Sequence, residues 1–429
     1  MISLKLGFLV AFIAMFVFML LKMPVGLSIM SSSILFFILV GKNSGMMVST
    51  IMGRLVESNS LFAVPLFIFA ASVMNGSSIT EHMFNFCKSL VGERKGALAY
   101  INIIISLIFA GMSGSAMADA AGIGLIELRE MKRDGYDMSY SAAITASTAV
   151  LGPIFPPSIA MVVYAMLAEV SVGSMFMGGV IPAILLVAGL MAYTAVIAHK
   201  RNFPKGIHYS GKEFWRNTLK AFPALMTPVI LLVGVYTGFV TATEAGVLCS
   251  VYAMLIATFI YKQFSWKKLW FALIDTVISS GKIMLVIFAA YSFSHIISMA
   301  GIAQMIAQFF LSLTSQKWIF LLVINILFIL LGCFLPMSVS QYVFIPLILP
   351  IAKALGIDLV HLGVILTINM QLGTITPPYG ILVFITANQA DAPLHKVFRE
   401  AVPMALIMYA TLFLMTFVPQ LVTWLPGMM

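Results

Sequence analysis

Gly152-Pro153-Ile154-Phe155-Pro156-Pro157 and Gly373-Thr374-Ile375-Thr376-Pro377-Pro378 are the two stretches on which the fold turns. Each sets a proline pair inside an apolar run. Proline removes a backbone donor and crowds the preceding turn, at a cost of about 3 kcal/mol or more in a helix interior. Each stretch therefore predicts a helix that opens partway along its length. The two lie at an offset of 221 (152 to 373), and the same offset, without a gap, sets Gly111 on Gly332, Lys132 on Lys353, Gly135 on Gly356 and Asp137 on Asp358. Upstream, Ile68-Phe69-Ala70-Ala71 matches Ile287-Phe288-Ala289-Ala290 at 219 (68 to 287), and Gly26 falls on Gly246 at 220 (26 to 246). A near-constant offset over most of each half identifies two homologous halves, about 1–198 and 222–429, joined by a linker over 199–221.

Of the 429 residues, 61% are hydrophobic and 9% charged, against about 25% charged in soluble domains. No soluble fold hides so much apolar surface, so lipid is the solvent. Runs such as Leu6 to Leu21, Phe222 to Phe239 and Ala401 to Val418 approach the roughly 20 apolar residues that cross a bilayer. They are too long for barrel strands, which leaves helices to satisfy the backbone in hydrocarbon. The net charge of +9 is no nucleic-acid footprint, because the cations cluster in loops between apolar runs, as in cytoplasmic loops. Cys87, Cys249 and Cys333 show neither metal-ligand nor disulfide spacing and read as small buried residues. No small-residue cleavage site follows the first run before Lys22-Met23-Pro24, so it reads as a retained helix.

The linker carries Lys200, Arg201, Lys205, Lys212, Arg216 and Lys220 against Glu213, which places it in the cytoplasm. The first half reads as five crossings, 3–22, 24–41, 61–75, 139–170 and 173–198. An odd number makes the second half enter with opposite polarity and puts both termini outside the cytoplasm. This is the inverted-topology repeat of many secondary transporters. Two apolar arms, 97–110 and 114–128, are each short for a crossing and are broken at Gly111-Met112-Ser113-Gly114-Ser115. With Arg94 and Lys95 at one end and Arg129, Lys132 and Arg133 at the other, they read as a re-entrant hairpin open to the cytoplasm. The equivalent arms, 318–331 and 337–350, are flanked only by Lys317 and Lys353, as suits a hairpin entering from the other face. Between crossings two and three of each half lies an amphipathic brace in the interface plane. In the first, Val48, Ile51, Met52, Leu55 and Val56 oppose Arg54 and Glu57; in the second, Trp266, Trp270, Leu273, Ile274, Val277 and Ile278 stand beside Lys267 and Lys268.

A helix opened at mid-membrane exposes carbonyls, which persist there only where they line a cavity or meet a partner. Sodium is such a partner, since hard cations take oxygen ligands. Ser113 and Ser115 at the first hairpin tip, with the carbonyls around Gly152 and Pro153, are candidates for one shell. Thr374 and Thr376, with the carbonyls of Gly332 and Gly373, are candidates for the other. One proline pair alone is as readily a packed kink; two at matched positions, each beside a glycine-bearing break, point to ion and substrate binding. Which hydroxyl meets ion and which meets substrate stays open. Asp119, whose repeat mate is Ser340, either ligates a cation or caps the second hairpin arm. Thr241-Ala242-Thr243-Glu244 has capping-box spacing, and Asp137 and Asp358 begin helices. His295 and His361 have no spacing for a metal or a proton relay. No nucleophile with a base, acid pair or metal motif appears, so an intramembrane enzyme is not expected, and neither is an organic cofactor. No GxxxxGK[ST] loop for ATP is present. Two inverted, hairpin-capped sites suit alternating access better than a channel.

The chain resembles the large membrane subunit of a tripartite ATP-independent periplasmic (TRAP) transporter over almost its whole length. The resemblance is carried by Met23-Pro24-Val25-Gly26, Ser72-Val73-Met74-Asn75, Gly111-Met112-Ser113-Gly114-Ser115-Ala116, Gly152-Pro153-Ile154-Phe155-Pro156-Pro157-Ser158, Thr241-Ala242-Thr243-Glu244-Ala245 and Gly373-Thr374-Ile375-Thr376-Pro377-Pro378-Tyr379-Gly380. Ala242 stands where that family commonly has proline. The resemblance implies an all-α polytopic membrane protein of the bacterial inner membrane, elevator-type and akin to the ion transporter superfamily. It divides the first repeat into scaffold (1–60, 173–198) and transport elements (61–170), and the second into scaffold (222–281, 400–429) and transport elements (282–391). It implies sodium-driven import, a small four-helix membrane subunit as partner, and a periplasmic binding protein that delivers an organic acid. Ser113 and Ser158 map close to where substrate is expected, and the neutral second tip brings Ser338, Ser340 and Gln341. That tip favours sialic acid over a C4-dicarboxylate. A self-sufficient sodium and dicarboxylate symporter of related architecture is the alternative.

Overall fold

In the computed structural model, residues 2–43, 45–57, 59–75, 79–263, 265–313 and 316–429 are described. The side chains of Arg54, Leu55, Val56 and Glu57, on which the amphipathic reading of the first brace partly rests, and of Asn75 lie outside the described residues. Among the described residues the chain is helical, with no strand beyond one isolated bridge between Lys95 and Lys205. The first half runs α1 (Leu4–Leu20), α2 (Val25–Val40), α3 (Gly45–Glu57), α4 (Ala63–Asn75), α5 (Ile79–Val91), α6 (Ala97–Ser113), α7 (Ala116–Ala121), α8 (Ile123–Arg133), α9 (Met138–Ala149), α10 (Ile159–Ala168) and α11 (Val172–Lys200). The second runs α12 (Gly211–Tyr236), α13 (Ala242–Leu255), α14 (Trp266–Met299), α15 (Ile302–Leu313), α16 (Lys317–Phe334), α17 (Met337–Ala354), α18 (Leu359–Gly373), α19 (Ile381–Ala390), α20 (Leu394–Phe417) and α21 (Gln420–Thr423). Among the described residues, seven helices are long and apolar enough to cross a membrane.

Local chemistry sets these boundaries twice over. Asp137 caps α9 by accepting from the Ser139 amide at 2.8 Å, and Asp358 caps α18 by accepting from the His361 amide at 2.8 Å. Each satisfies an amide that a helix start leaves free. Thr241 and Glu244 close the expected capping box on α13. Packing repeats as well: α4 lies on α13 as α14 lies on α2, and α9 lies on α19 and α20 as α18 lies on α10 and α11. At the centre, α9 is buried from Ser139 to Ala149 and α18 from His361 to Gly373. The serines, alanines and threonines of α9 let neighbouring backbones approach closely, the usual means of helix contact in a membrane.

Several expected boundaries are corrected. α1 and α2 are shorter than 3–22 and 24–41, because the chain turns through Lys22 at a φ of 66° into the Pro24 cap. The arms of both hairpins are longer than expected, and α16 and α17 have 18 residues each. The second brace is not a separate helix. It continues into the next crossing as the 34-residue α14, where Gly281 is the one glycine and no proline starts a new helix, as Pro65 does in the first turn of α4. The expected scaffold boundary at 281/282 falls inside that helix. α5 and α15 were not anticipated as elements. The irregular linker is shorter than 199–221: α11 runs to Lys200 and α12 begins at Gly211. Its middle is clasped to the base of the first hairpin, the Gly96 amide donating to the Pro204 carbonyl at 2.9 Å and the Gly206 amide to the Arg94 carbonyl at 3.2 Å.

Candidate functional site: two hairpin tips seated on two opened helices

Each proline pair opens its helix as its lack of N–H requires. α9 gives way to an irregular segment before α10, and α18 to another before α19. Without proline, the carbonyls of Gly152, Pro153, Gly373 and Thr374 would each accept from the residue four places on. Three are recaptured: Pro153 by the Ser158 hydroxyl, Gly373 by the Thr376 amide at 3.2 Å and Thr374 by the Leu382 amide at 3.0 Å. The Gly152 carbonyl has no hydrogen-bond donor among the described residues. A carbonyl that accepts one hydrogen bond still holds a second lone pair, so all four remain able to face a cation.

Each hairpin tip sits on one of these openings. A side chain at Gly152 would run into the backbone of Ser115 and Ala116 at 2.9 Å. Gly114 turns the first tip at a φ of 62°, where any Cβ would lie 2.4 Å from the Pro157 carbonyl oxygen. In the second half Gly332 and Gly373 meet backbone to backbone, and a Cβ on Gly373 would fall 2.5 Å from the Gly332 carbonyl. Thus Ser113, Ser115, Gly152 and Pro153 come together at one contact, and Gly332, Gly373, Thr374 and Thr376 at the other.

The hydroxyls are already engaged locally. Ser113 Oγ accepts from the Ser115 amide at 3.4 Å and Ser115 Oγ from the Ala118 amide at 3.3 Å. Thr374 Oγ1 donates to the Gln371 carbonyl at 2.5 Å; Thr376 Oγ1 donates to the Leu372 carbonyl at 2.7 Å and meets the Tyr409 hydroxyl at 3.1 Å. Ser158 is fully buried and caps α10. Ser338 is exposed, Ser340 is buried with an unpartnered hydroxyl, and Gln341 donates to the Ala160 carbonyl at 2.6 Å. Asp119 is 1% exposed, and neither of its oxygens has a hydrogen-bond partner. It lies inside the first turn of α7, whose cap is Ser115, so it does not cap that arm. Among the described residues no group of three or more His, Cys, Asp or Glu side chains forms a metal cluster, and the oxygen donors at the tips fit a hard cation.

Sequence reasoning missed part of the site. A cavity of about 480 Å³ opens beside the first tip, where Ser113 and Ser115 face Asp275, Ser279 and Lys282 of α14. The signal was legible: Lys282 lies halfway along the 34-residue α14, at the start of its apolar second half, and an ionisable residue at such a position is a functional candidate. Reading 266–278 as a separate brace hid it. Glu127, 2% exposed, was also missed; Asn102 Nδ2 donates to its Oε2 at 2.7 Å. Ser338, Ser340 and Gln341 do not line this cavity.

Helical hairpins seated on interrupted helices within a bundle of apolar helices define a polytopic membrane transporter. The sequence model of the DctM component of tripartite ATP-independent periplasmic transporters matches residues 12–421. The chain is 34% identical over 404 residues to the sialic acid TRAP transporter large permease protein SiaM of Vibrio cholerae, covering 94% of this chain and 95% of that one. It is 33% identical over 431 residues to the sialic acid TRAP transporter permease protein SiaT of Haemophilus influenzae (99% and 70%). It is 34% identical over 371 residues to the C4-dicarboxylate TRAP transporter large permease protein DctM of Pseudomonas aeruginosa (86% and 87%). The fold is similar to the crystal structure of the YdaH transporter of Alcanivorax borkumensis, with a TM-score of 0.63 at 14% identity over 87% of this chain and 86% of that one. The chain belongs to the DctM family and is a TRAP transporter large permease subunit, a multi-pass inner-membrane protein.

Proposed function

We propose that this permease is driven by sodium, bound where each hairpin tip meets an opened helix, and imports an organic acid of the sialic acid or C4-dicarboxylate class. The observation that supports this most is the paired seating of Gly152 on Ser115 and of Gly373 on Gly332, beside carbonyls that proline has freed. Ser113, Ser115, Asp119, Gly152 and Pro153 serve the first ion; Gly332, Gly373, Thr374 and Thr376 serve the second. Relatives named for sialic acid and for C4-dicarboxylates support the substrate range. In this reading a small membrane subunit and a periplasmic binding protein complete the transporter, and the tips and opened helices travel as one body across the membrane. Uptake into proteoliposomes holding the complete transporter should need sodium and no ATP. Uptake undiminished when potassium replaces sodium contradicts the coupling, and full uptake without a binding protein favours a self-sufficient symporter.

The two repeats are inverted in this reading, with both termini periplasmic. Impermeant labelling of single cysteines, with Cys87, Cys249 and Cys333 replaced, should find positions 94 and 132 open to the cytoplasm and 317 and 353 to the periplasm. Positions 94 and 353 reacting from one side contradicts the inversion.

A further inference from the structure

We infer that Asp275, Ser279 and Lys282 of α14 form the substrate-recognition stripe of the cavity beside the first hairpin tip, and that the stripe selects a hydroxylated monocarboxylate over a dicarboxylate. This rests on the transport reading above and deepens it to a substrate class. At 100° per residue the three positions fall on one face of α14, with Asp275 and Lys282 about 10 Å apart along the axis. All three line the same cavity of about 480 Å³, opposite Ser113, Ser115 and Ser72. Neither Asp275 nor Lys282 has an ion-pair partner among the described residues; the nearest polar contact is Ser279 Oγ to Asp275 Oδ1 at 3.5 Å.

The charges decide what such a cavity accepts. Lys282 offers one ammonium at the cavity wall, where it binds a single carboxylate as a charge-assisted pair. Two turns along, Asp275 offers only acceptor oxygens and a like charge. A second carboxylate extended along the stripe meets repulsion there, whereas hydroxyl or amide N–H groups meet an acceptor. The serines of the tip and of α4 add hydroxyls that pair with either role, and Ile68, Ala71 and Ile283 leave an apolar wall. Stripe and ligand then sum to one negative charge, carried by a polyhydroxylated acid.

Equilibrium binding to the purified permease with its small membrane subunit tests this, using radiolabelled N-acetylneuraminate, D-gluconate and succinate in saturating sodium, with sodium-induced thermal stabilisation read on the same samples. At least one hydroxylated acid should bind about tenfold or more tighter than succinate. Lys282→Gln should weaken it about tenfold or more while Lys282→Arg retains most of it, and Asp275→Asn should narrow the preference against succinate. Three results overturn the inference: succinate preferred by the parent, no binding of either hydroxylated acid by a parent that sodium stabilises, or parental affinity in Lys282→Gln. A parent that sodium fails to stabilise, yet that binds a hydroxylated acid through Lys282, keeps the inference and contradicts the sodium coupling.

Discussion

The two hairpins share an outline and differ in their interiors. In the first, the descending arm breaks at Gly122 into α7 and α8 and buries Asp119 and Glu127. In the second, α17 runs unbroken for 18 residues, with Ser340 and Ile348 at the matching positions. Both halves knit the hairpin to the central helix through amides: Asn102 donates to Thr145 at 2.8 Å and accepts from Thr148 at 2.7 Å, while Asn369 donates to Asn325 at 2.8 Å. The first half adds carboxyls to this neutral frame. Burying an ionised carboxylate is costly without a paired charge, and Asp119 meets none among the described residues. Symmetry of backbone thus does not carry over to symmetry of chemistry. In the sodium-driven reading proposed above, the first site brings a carboxylate to its ion, whereas the second offers carbonyls and hydroxyls alone.

The seating of the tips should break most completely. Gly373→Ala drives a Cβ to 2.5 Å from the Gly332 backbone, and sodium-dependent uptake should fall to background, about a hundredfold or more. Gly332→Ala, whose nearest foreign atom would lie at 3.2 Å, should retain more activity. Equal damage in the two, at equal membrane expression, would show that the contact itself is not what matters. Next comes Asp119→Ser, which gives the first hairpin the chemistry of the second. The sodium needed for half-maximal uptake should rise about tenfold, the scale of one charge-assisted contact, and a half-maximal sodium matching the parent would assign Asp119 to structure. Thr376→Val should act least, raising that concentration a few-fold, because the carbonyls of Gly373 and Thr374 remain. Valine also forfeits the 3.1 Å contact to the Tyr409 hydroxyl. Tyr409→Phe removes that contact alone, so an equal effect in both would make Thr376 a packing partner of Tyr409 rather than an ion ligand.

Much of this was legible in the chain because proline and glycine act locally. The proline pairs at 156–157 and 377–378 announce their openings within six residues, and a constant offset then carries hairpin and cap from one half to the other. Asp137 and Asp358 were readable as helix starts for the same reason, and the structure adds that each caps its helix. What stayed hidden depends on neighbours remote in sequence. That Gly332 touches Gly373, or that Ser113 faces Lys282 across a cavity, follows from how helices stack and from no periodicity along the chain. α5 escaped notice because Glu81, His82 and Lys88 break its apolar run along the sequence, although they lie off the face it buries. α14 was split because its amphipathic beginning resembles an interfacial helix, while the absence of any breaker through Met299 was the stronger signal. Ser158 was placed by its position beside the prolines; its hydroxyl donates to the Pro153 carbonyl and accepts from the Met161 amide, which only the folded segment reveals.

On the proposed function, two dissimilar ion sites lie where the tips meet the opened helices. Equilibrium binding of radioactive sodium to the purified permease with its small subunit tests it most directly, measured for the parent, for Asp119→Ser and for Thr376→Val. Two saturable ions per permease are expected, with Asp119→Ser weakening one and Thr376→Val weakening the other less strongly. A single ion, or two whose affinities neither substitution moves, would contradict it.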